Sequence, residues 1–489
     1  MTSIAAHCRP VAELPLRDAR EWVAKVRSAL EQGERLVTLF GRKADAEGAV
    51  LTAVLQAGGG ELHVLRAATT LEQGWHTLTR DFPAAQCFER EVHEQLGVRI
   101  ADHPWLKPIR FEGKNLRKMK DYPFYKLAGK EVHEVAVGPI HAGIIEPGSF
   151  RFMCLGETVH HLEIQLGYQH RGVEALLLRG DPRSLAPLVE TIAGDTSIGH
   201  AWAYCAAIEA LAGLSPREEI EASRAVGLEL ERIAMHLSGL SGLASDIGFQ
   251  QGASSYGRLR TTAINTSMRL CGSRFGRGWL RPGGSRAAMD AGVAEIARAN
   301  LSLIGRDVAI INDCFLSALT VQHRFQGVGT VTKQQALELG LVGMAARASG
   351  VPIDQRSFGA GSYGRIPMKT SVEESGDCWA RALLRIREID CSLQWLTAAL
   401  DRFPAFAPVC EAVGALAPGQ FVVSVCEGWR GEIVHCLETD GLGKLLHYKV
   451  QDPSLRNWFG LALALRRNEI SDFPICNKSF DLSYCGNDL

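Results

Sequence analysis

The chain has no surplus of charge: 53 Lys and Arg against 54 Asp and Glu leave a formal net charge of -1 over 489 residues. Such a balance offers no global field to nucleic acid or an acidic membrane surface, and no nucleic-acid motif is present. Long apolar runs are also missing. A bilayer-spanning helix needs about 18 or more predominantly apolar residues, and no stretch reaches that uninterrupted. The N-terminus, MTSIAAHCRPVAELPLRD, has no long apolar core and carries early charges, so no secretory signal is expected. Any membrane link is expected to run through a partner. The 13 cysteines form no close set. Even Cys476 and Cys485 are too far apart for a CxxC redox pair or a zinc knuckle. An odd number at wide spacing fits reduced, mostly buried thiols in an intracellular chain, and no grouping supports an iron–sulfur cluster. No strand–GxGxxG–helix context marks a nucleotide site.

What is present is ordinary globular material, 46% hydrophobic and 22% charged, long enough for two or three domains. Residues 14–31 read as an amphipathic helix. RLVTLFGRK, GAVLTAVLQA and ELHVLRAATT read as strands, and WHTLTRDFPAAQCFEREVHEQLGV as mostly helix. The polar and basic stretch FEGKNLRKMKDYPFYKLAGKE follows as a linker. Beyond it, apolar residues at helical spacing predict long amphipathic helices: Leu155, Val159, Leu162 and Leu166; Leu230, Ile233, Leu237 and Leu240; Val293, Ile296, Ile304, Val308 and Ile311; Leu383, Ile386, Leu393, Leu396 and Leu400. EVAVGPI, QFVVSVCEG and GEIVHCLETDG read as flanking strands. The expectation is an α+β chain, with a small N-terminal α+β domain over 1–130 and a mainly α-helical bundle with flanking β-strands over 131–489.

Ordered blocks carry the functional signal: GPIHAGIIEPGSFRF (138–152), LGYQHRGVEALL (166–177), RGDPRS (179–184), ETIAGDTSIGHAWAYCAAIEAL (190–211), ELERIAMHLSGLSGLASDIGF (229–249), RFGRGWLRPGG (274–284), ARASGVPIDQRSFGAGSYG (346–364), CEGWRGEIVH (426–435), YKVQDPSLRNW (448–458) and SFDLSYCGNDL (479–489). Together they resemble the large subunit shared by nickel–iron hydrogenases and the 49 kDa subunit of respiratory complex I. The nearest likeness is to the membrane-bound group 4 enzymes, formate hydrogenlyase and hydrogenase 4. FEREVHEQLGVRIADHPWLKPIRF (88–111) marks a domain similar to the 30 kDa complex I subunit, fused in front. The likeness runs over almost the whole chain from about residue 85.

The resemblance makes metal the deciding question. Hydrogenases hold nickel and iron with thiolates from two CxxC pairs, since soft anionic sulfur suits such a metal. At the early pair this chain reads TIAGDT, with Ala193 and Thr196 at the ligand positions. At the late pair it reads DLSYCG, with Ser483 and Gly486 there and Cys485 one residue off. A nickel–iron centre and C-terminal trimming are therefore not expected. Complex I also lacks those cysteines and receives a quinone head in the same cavity, through a histidine of a HPxxHG loop and a tyrosine. Here His141 matches the first histidine, Ile145 stands at the second, and Gly194 falls near the tyrosine.

The resemblance implies catalytic candidates at His141, Glu146, Arg171, Glu174 and His200. Glu174 matches a proton-passing glutamate, and a carboxylate in a partly dry pocket suits that role. An ion pair with Arg171 or a neighbouring arginine is the competing account. His200 lines the same cavity or is a satisfied core histidine. His141 carries an imidazole that titrates near neutral pH, and Glu146 shares its loop. Asp354, Arg356 and Asp481 are candidates on the cofactor side. Asp354 and Arg356 are expected to form a buried bidentate ion pair. Asp481 is either an inward carboxylate or a capped, solvated one, and Asp488 shares that ambiguity. His160 and His161 would point to different helix faces and share no metal. His236 is expected to pack against the bundle, and the glycines of RPGG to serve a tight turn.

By the same resemblance the chain should bind no metal or cluster itself. It should dock on a small iron–sulfur subunit like the complex I 20 kDa subunit, with a ferredoxin-like cluster subunit and antiporter-like membrane subunits as further partners. It would sit in the cytoplasm on the inner face of the cell membrane. There it would pass electrons from the partner's 4Fe–4S cluster to a quinone or other small acceptor, coupled to ion translocation. A catalytically silent coupling scaffold is the other reading. An active hydrogenase is disfavoured.

Overall fold

The structure, a computed structural model, describes residues 5–111, 121–141, 145–359 and 361–489. Part of the linker stretch and of the HAGIIEPG loop lies outside those residues. Near the N-terminus, β2 (Leu16–Asp18), β3 (Arg35–Lys43), β4 (Gly48–Gln56) and β5 (Leu62–Thr70) form a four-stranded sheet of order β2-β5-β4-β3. Helix α1 (Ala19–Glu31) covers it with Trp22 and Val26 fully buried. The helix expected over 14–31 starts only at Ala19. Leu16–Asp18 instead pairs in parallel with Arg66–Ala68, and the extended Asp18 caps α1 by accepting from the N–H groups of Arg20 and Glu21.

The stretch 75–98 is helical only at a short 3-10 turn, Pro83–Ala85, and at α2 (Gln86–Leu96), which ends on left-handed Gly97. Glu89 explains the rest. Its carboxylate is fully buried and accepts from Trp75 Nε1 at 2.8 Å, the Leu78 N–H at 2.8 Å, and the hydroxyls of Thr77 and Thr79. The segment therefore wraps around α2 instead of extending it. Here β6 (Trp75–His76) pairs with β7 (Ile100–Ala101).

The second region opens with an antiparallel meander, β8 (Val132–Val137), β9 (Ser149–Leu155) and β10 (Thr158–Gln165). The helix face expected at Leu155, Val159, Leu162 and Leu166 is thus a hairpin. The register shifts between Val159 and His161, leaving His160 as an extra bulge residue. A bulge converts a strand's two-residue spacing into three, which mimics a helix. His160 and His161 accordingly lie on a strand.

The expected long helices are present as α6 (Glu218–Asp246), α8 (Ala291–Ser317) and α13 (Cys378–Arg402). They pack with α5 (Ser197–Leu211) and α7 (Gln250–Cys271). Leu230, Ile233, Leu237 and Leu240 are all buried, while Ile296 is exposed. His236 sits in the bundle with its Nε2 on Glu388 at 2.8 Å. Shorter helices link these elements: α3 (Val173–Leu177), α4 (Ala186–Val189), α9 (Leu319–Phe325), α10 (Lys333–Glu338), α11 (Gly343–Arg347) and α12 (Ser362–Arg365). The C-terminal part adds α14 (Ser454–Ala464), α15 (Phe473–Phe480) and α16 (Tyr484–Asp488). RPGG is the tight turn between β11 (Leu280–Arg281) and β12 (Gly284–Ser285), with Gly283 at φ 72°, and β13 (Val409–Cys410) joins that ribbon.

One sheet unites the two regions. β14 (Gln420–Glu427), β15 (Glu432–Thr439) and β16 (Leu445–Gln451) form it, and β1 (Ala5–Pro10) pairs antiparallel with β14 as its edge. The first strand thus crosses the division expected at residue 130. Ion pairs reinforce the seam: Arg66 and Arg42 on Glu438 at 2.9 and 3.0 Å, Arg35 on Glu432 at 2.5 Å, and Lys449 on Glu91 at 2.7 Å.

Candidate functional site

The tail after α15 is built to stop and turn. Asp481 ends that helix in the left-handed region at φ 54°. Ser483 then caps α16, its Oγ accepting from the Gly486 N–H at 2.9 Å. This places 481–489 against the entry to α5. Arg430, on the turn between β14 and β15, joins the two: Nη1 and Nη2 donate to Asp195 at 2.6 and 2.7 Å, and Nε donates to the Asp481 carbonyl at 2.5 Å. Its guanidinium lies 3.9 Å over Trp429, whose indole N–H donates to the Asp195 carbonyl. Arg171 makes a second clasp. It donates to the carbonyls of Thr191 (2.6 Å), Ile192 (3.2 Å) and Cys485 (3.1 Å). It pairs with no carboxylate among the described residues and so does not hold Glu174.

His200 lies fully buried one turn into α5. Its Nε2 is 3.1 Å from Asp452 Oδ2, its Nδ1 is 3.2 Å from His435 Nε2, and His435 Nδ1 is 2.8 Å from the Tyr448 hydroxyl. When both histidines are neutral, donors run in one direction, from Tyr448 through His435 and His200 to the Asp452 carboxylate. Burial works to raise the Asp452 carboxyl, but the hydrogen bond from His200 and the charge of Arg430 hold it below its usual value. Burial and the neighbouring His200 push His435 well below the usual histidine range. Under the first turn of α5, Glu231 accepts from the N–H groups of Ile198 and Gly199 at 2.7 and 3.3 Å. Burial pushes its carboxyl up to about 8. Asp481 faces Lys478 at 3.0 Å and Arg385 at 4.0 Å. Burial opposes its charge, yet those cations and Arg430 hold it low.

From the opposite side comes the loop before β9. His141 Nε2 donates to the Gly148 carbonyl at 2.9 Å. Gly148 packs so closely on Tyr484 that a Cβ would lie 2.6 Å from the ring. Burial, with the nearby Glu146 charge, pushes the Tyr484 hydroxyl up to about 12 and raises the Cys485 thiol.

His141, Glu146, Arg171, His200 and Asp481 therefore meet at one junction. Three expected members, Glu174, Asp354 and Arg356, do not. Glu174 lies beyond the tail and accepts from Lys449 Nζ at 2.9 Å and the Val450 N–H at 3.0 Å. It lines a separate cavity of about 400 Å³ with Arg42, Lys43, Arg110 and Leu489. Arg356 and Asp354 form the expected bidentate pair, at 3.0 and 2.7 Å, but deep between α6 and α13. There Glu229 takes Arg356, Tyr363 and Ser392. Asp488 is not solvated either: it accepts from the Gly167 and Gln169 N–H groups at 2.8 Å.

Ala193, Thr196, Ser483 and Gly486, which stand where the resemblance to hydrogenases implies metal thiolates, are all buried at this junction. Thr196 Oγ1 accepts from Arg430 at 3.2 Å. A Cβ on Gly486 would lie 2.6 Å from the Asp452 carboxyl carbon, so Asp452 fills the space a side chain there would need. Among the described residues, no group of three or more His, Cys, Asp or Glu side chains is placed to hold a metal.

The profile described as "Respiratory-chain NADH dehydrogenase, 30 Kd subunit" matches residues 17–126, and that of the 49 Kd subunit matches 246–414. The chain belongs to the complex I 49 kDa and hydrogenase large-subunit family. Among its relatives, formate hydrogenlyase subunit 5 of Escherichia coli is 28% identical, over 84% of this chain and 76% of the relative. The membrane-bound hydrogenase subunit alpha of Pyrococcus furiosus is 29% identical over 71% and 85%. A fused NADH-quinone oxidoreductase subunit of Bacteroides thetaiotaomicron is 27% identical over 75% and 76%.

Sequence reasoning passed over Asp195, Glu231, Arg430, His435 and Asp452. Each lies in or beside a block that carried the family likeness. Their signal was weak because charged residues flanked by glycine or on a helix read equally well as solvated.

Proposed function

We propose that this chain is a peripheral-arm subunit of a membrane-associated, energy-converting oxidoreductase complex. Electrons leaving a 4Fe–4S cluster on a small partner subunit would reach a quinone or other small acceptor at the junction of the α5 entry and the C-terminal tail. The observation that supports this reading is the meeting at one place of four separated segments, carrying Glu146, Asp195 with His200, Arg430, and Asp452. Reduction of a quinone to a quinol takes up two protons as well as two electrons. Glu146 and His141, in the half-buried loop, are the groups able to exchange protons there. Arg430 and Arg171 fix the distance between loop, helix and tail, and Asp452 orients His200. The donor set does not fit a nickel–iron centre: the ligand positions carry a methyl, two hydroxyls and a hydrogen, and the single nearby thiol is held protonated.

The partners follow from the same reading: the small cluster subunit, a ferredoxin-like cluster subunit, and antiporter-like membrane subunits. No helix among the described residues is long and apolar enough to cross a membrane, so such subunits would supply the anchor. A silent coupling scaffold is favoured by a different observation. Arg171, His200, Arg430 and Asp481 are all fully partnered, which suits a rigid joint as well as a reaction site.

The test is quinone-dependent turnover by the purified complex, with metal analysis alongside. Turnover without stoichiometric nickel, impaired in Glu146→Gln, supports electron transfer at the junction. An intact complex with no turnover towards any quinone supports the scaffold. Nickel near one per chain with hydrogen evolution overturns both.

A further inference from the structure

A second chemically distinctive place lies at the first turn of α13, where it meets α15. Cys378 is the first residue of α13, and its Sγ lies 3.9 Å from Cys476 Sγ on α15. Both thiols are buried. Arg381 closes the group: Nη2 is 3.4 Å from Cys378 Sγ, Nε donates to Ser479 Oγ at 2.8 Å, and the guanidinium lies 4.2 Å over Phe480. Ser479 Oγ is itself 3.5 Å from Cys378 Sγ. A helix N-terminus, an arginine and a hydroxyl thus converge on one sulfur, and a second sulfur touches it. Burial works to raise the Cys378 thiol, yet the contact with Cys476, the Arg381 charge and Ser479 hold it below its usual value, while Cys476 is pushed well above its own. One partner is set to attack and the other to resolve.

A glycine turn packs directly on the pair. Gly329, at φ 65°, lies against both sulfurs, and a Cβ there would be 2.6 Å from Cys476 Sγ and 3.3 Å from Cys378 Sγ. Its neighbours Gly327 and Thr330 are exposed. The turn that packs on the two sulfurs thus carries solvent-facing residues on either side of Gly329.

We propose that Cys378 and Cys476 are a redox-active dithiol that a water-sized peroxide converts to a disulfide. The Cys378 thiolate attacks one peroxide oxygen and breaks the O–O bond, giving a sulfenic acid and hydroxide. The Cys476 sulfur then attacks the sulfenic sulfur, forming the S–S bond and breaking the S–O bond, and the sulfenic oxygen leaves as water with the Cys476 thiol proton. In balance, two thiols lose two protons and two electrons, and one peroxide becomes two waters. Closing from 3.9 Å to the bonded distance of about 2.05 Å ties the start of α13 to α15. Because α15 runs directly into Asp481, the bond reaches the tail of the junction. The proposal does not depend on what that junction does.

The test treats the folded full chain with hydrogen peroxide, blocks the remaining thiols by alkylation, and maps the peptides by mass spectrometry. The expected result is a loss of about 2 Da in a crosslinked peptide pair containing Cys378 and Cys476, reversed by dithiothreitol. Cys476→Ala should instead leave a trappable sulfenic acid at Cys378. The idea is overturned if both thiols remain alkylatable after unfolding while Cys314 or Cys410, on the surface, has been oxidised. It is equally overturned if Cys378 is recovered with another partner.

Discussion

Arg430 holds both carboxylate oxygens of Asp195, at 2.6 and 2.7 Å, and with its remaining nitrogen the carbonyl of Asp481. One cation thus fastens the entry of α5 to a tail nearly three hundred residues later. Asp195 is 38% exposed, so water screens part of the attraction, and the hydrogen bonds count for more than the charge. Arg430→Met should destabilise the protein by about 2 kcal/mol, read as a lower urea midpoint. Arg430→Lys should recover only part of this, because an ammonium cannot span both oxygens.

Gly486 offers a sharper test of the tail. A side chain there meets the Asp452 carboxyl carbon at 2.6 Å and its Oδ2 at 2.7 Å. Gly486→Cys should therefore displace Asp452 from His200 and cost roughly 1–3 kcal/mol from overpacking. Nickel content should not rise. A stable Gly486→Cys protein that gains nickel would show that the space exists.

Glu231 predicts a pH dependence. Its carboxyl is raised from 4.5 to about 8 in the folded chain, so folding favours the protonated form. That stabilisation is complete below the unfolded value and is lost as pH rises through about 8. Glu231→Gln carries no such loss. The stability of the wild type should fall relative to Glu231→Gln between about pH 5 and pH 8, by on the order of 3 kcal/mol. Melting temperatures across that range measure it, and parallel curves would refute it.

Arg356 is a structural counter-example. It is buried against Asp354 and Glu229. Arg356→Met leaves two buried carboxylates short of a cation and should cost about 3–5 kcal/mol, with poor recovery of folded protein. Glu174→Gln is expected to be mild by comparison, since Glu174 is partly exposed and Lys449 keeps Glu91.

The long helices were readable because residues such as Leu230 to Leu240 repeat at helical spacing on a face that is in fact buried. The hairpin around Val159 was not, because a single bulge at His160 changes the spacing that distinguishes strand from helix. The clasp of Arg171 was foreseeable only as a location. That it would hold carbonyls and not Glu174 depends on where the tail lies, which no local pattern states. The His200–Asp452 contact likewise joins residues whose separation in the chain exceeds any spacing rule.

Residues 5–10 contribute the edge strand of the sheet formed by 420–451. Cutting the chain at residue 130 would therefore carry off a piece of the larger half's architecture. The truncated half would present the bare backbone of Gln420–Glu427, an open template for self-association. A two-piece version of this protein would then be a lock whose small part must be inserted first, and a separately expressed 131–489 fragment should stay monomeric only when a peptide spanning residues 5–10 is supplied with it.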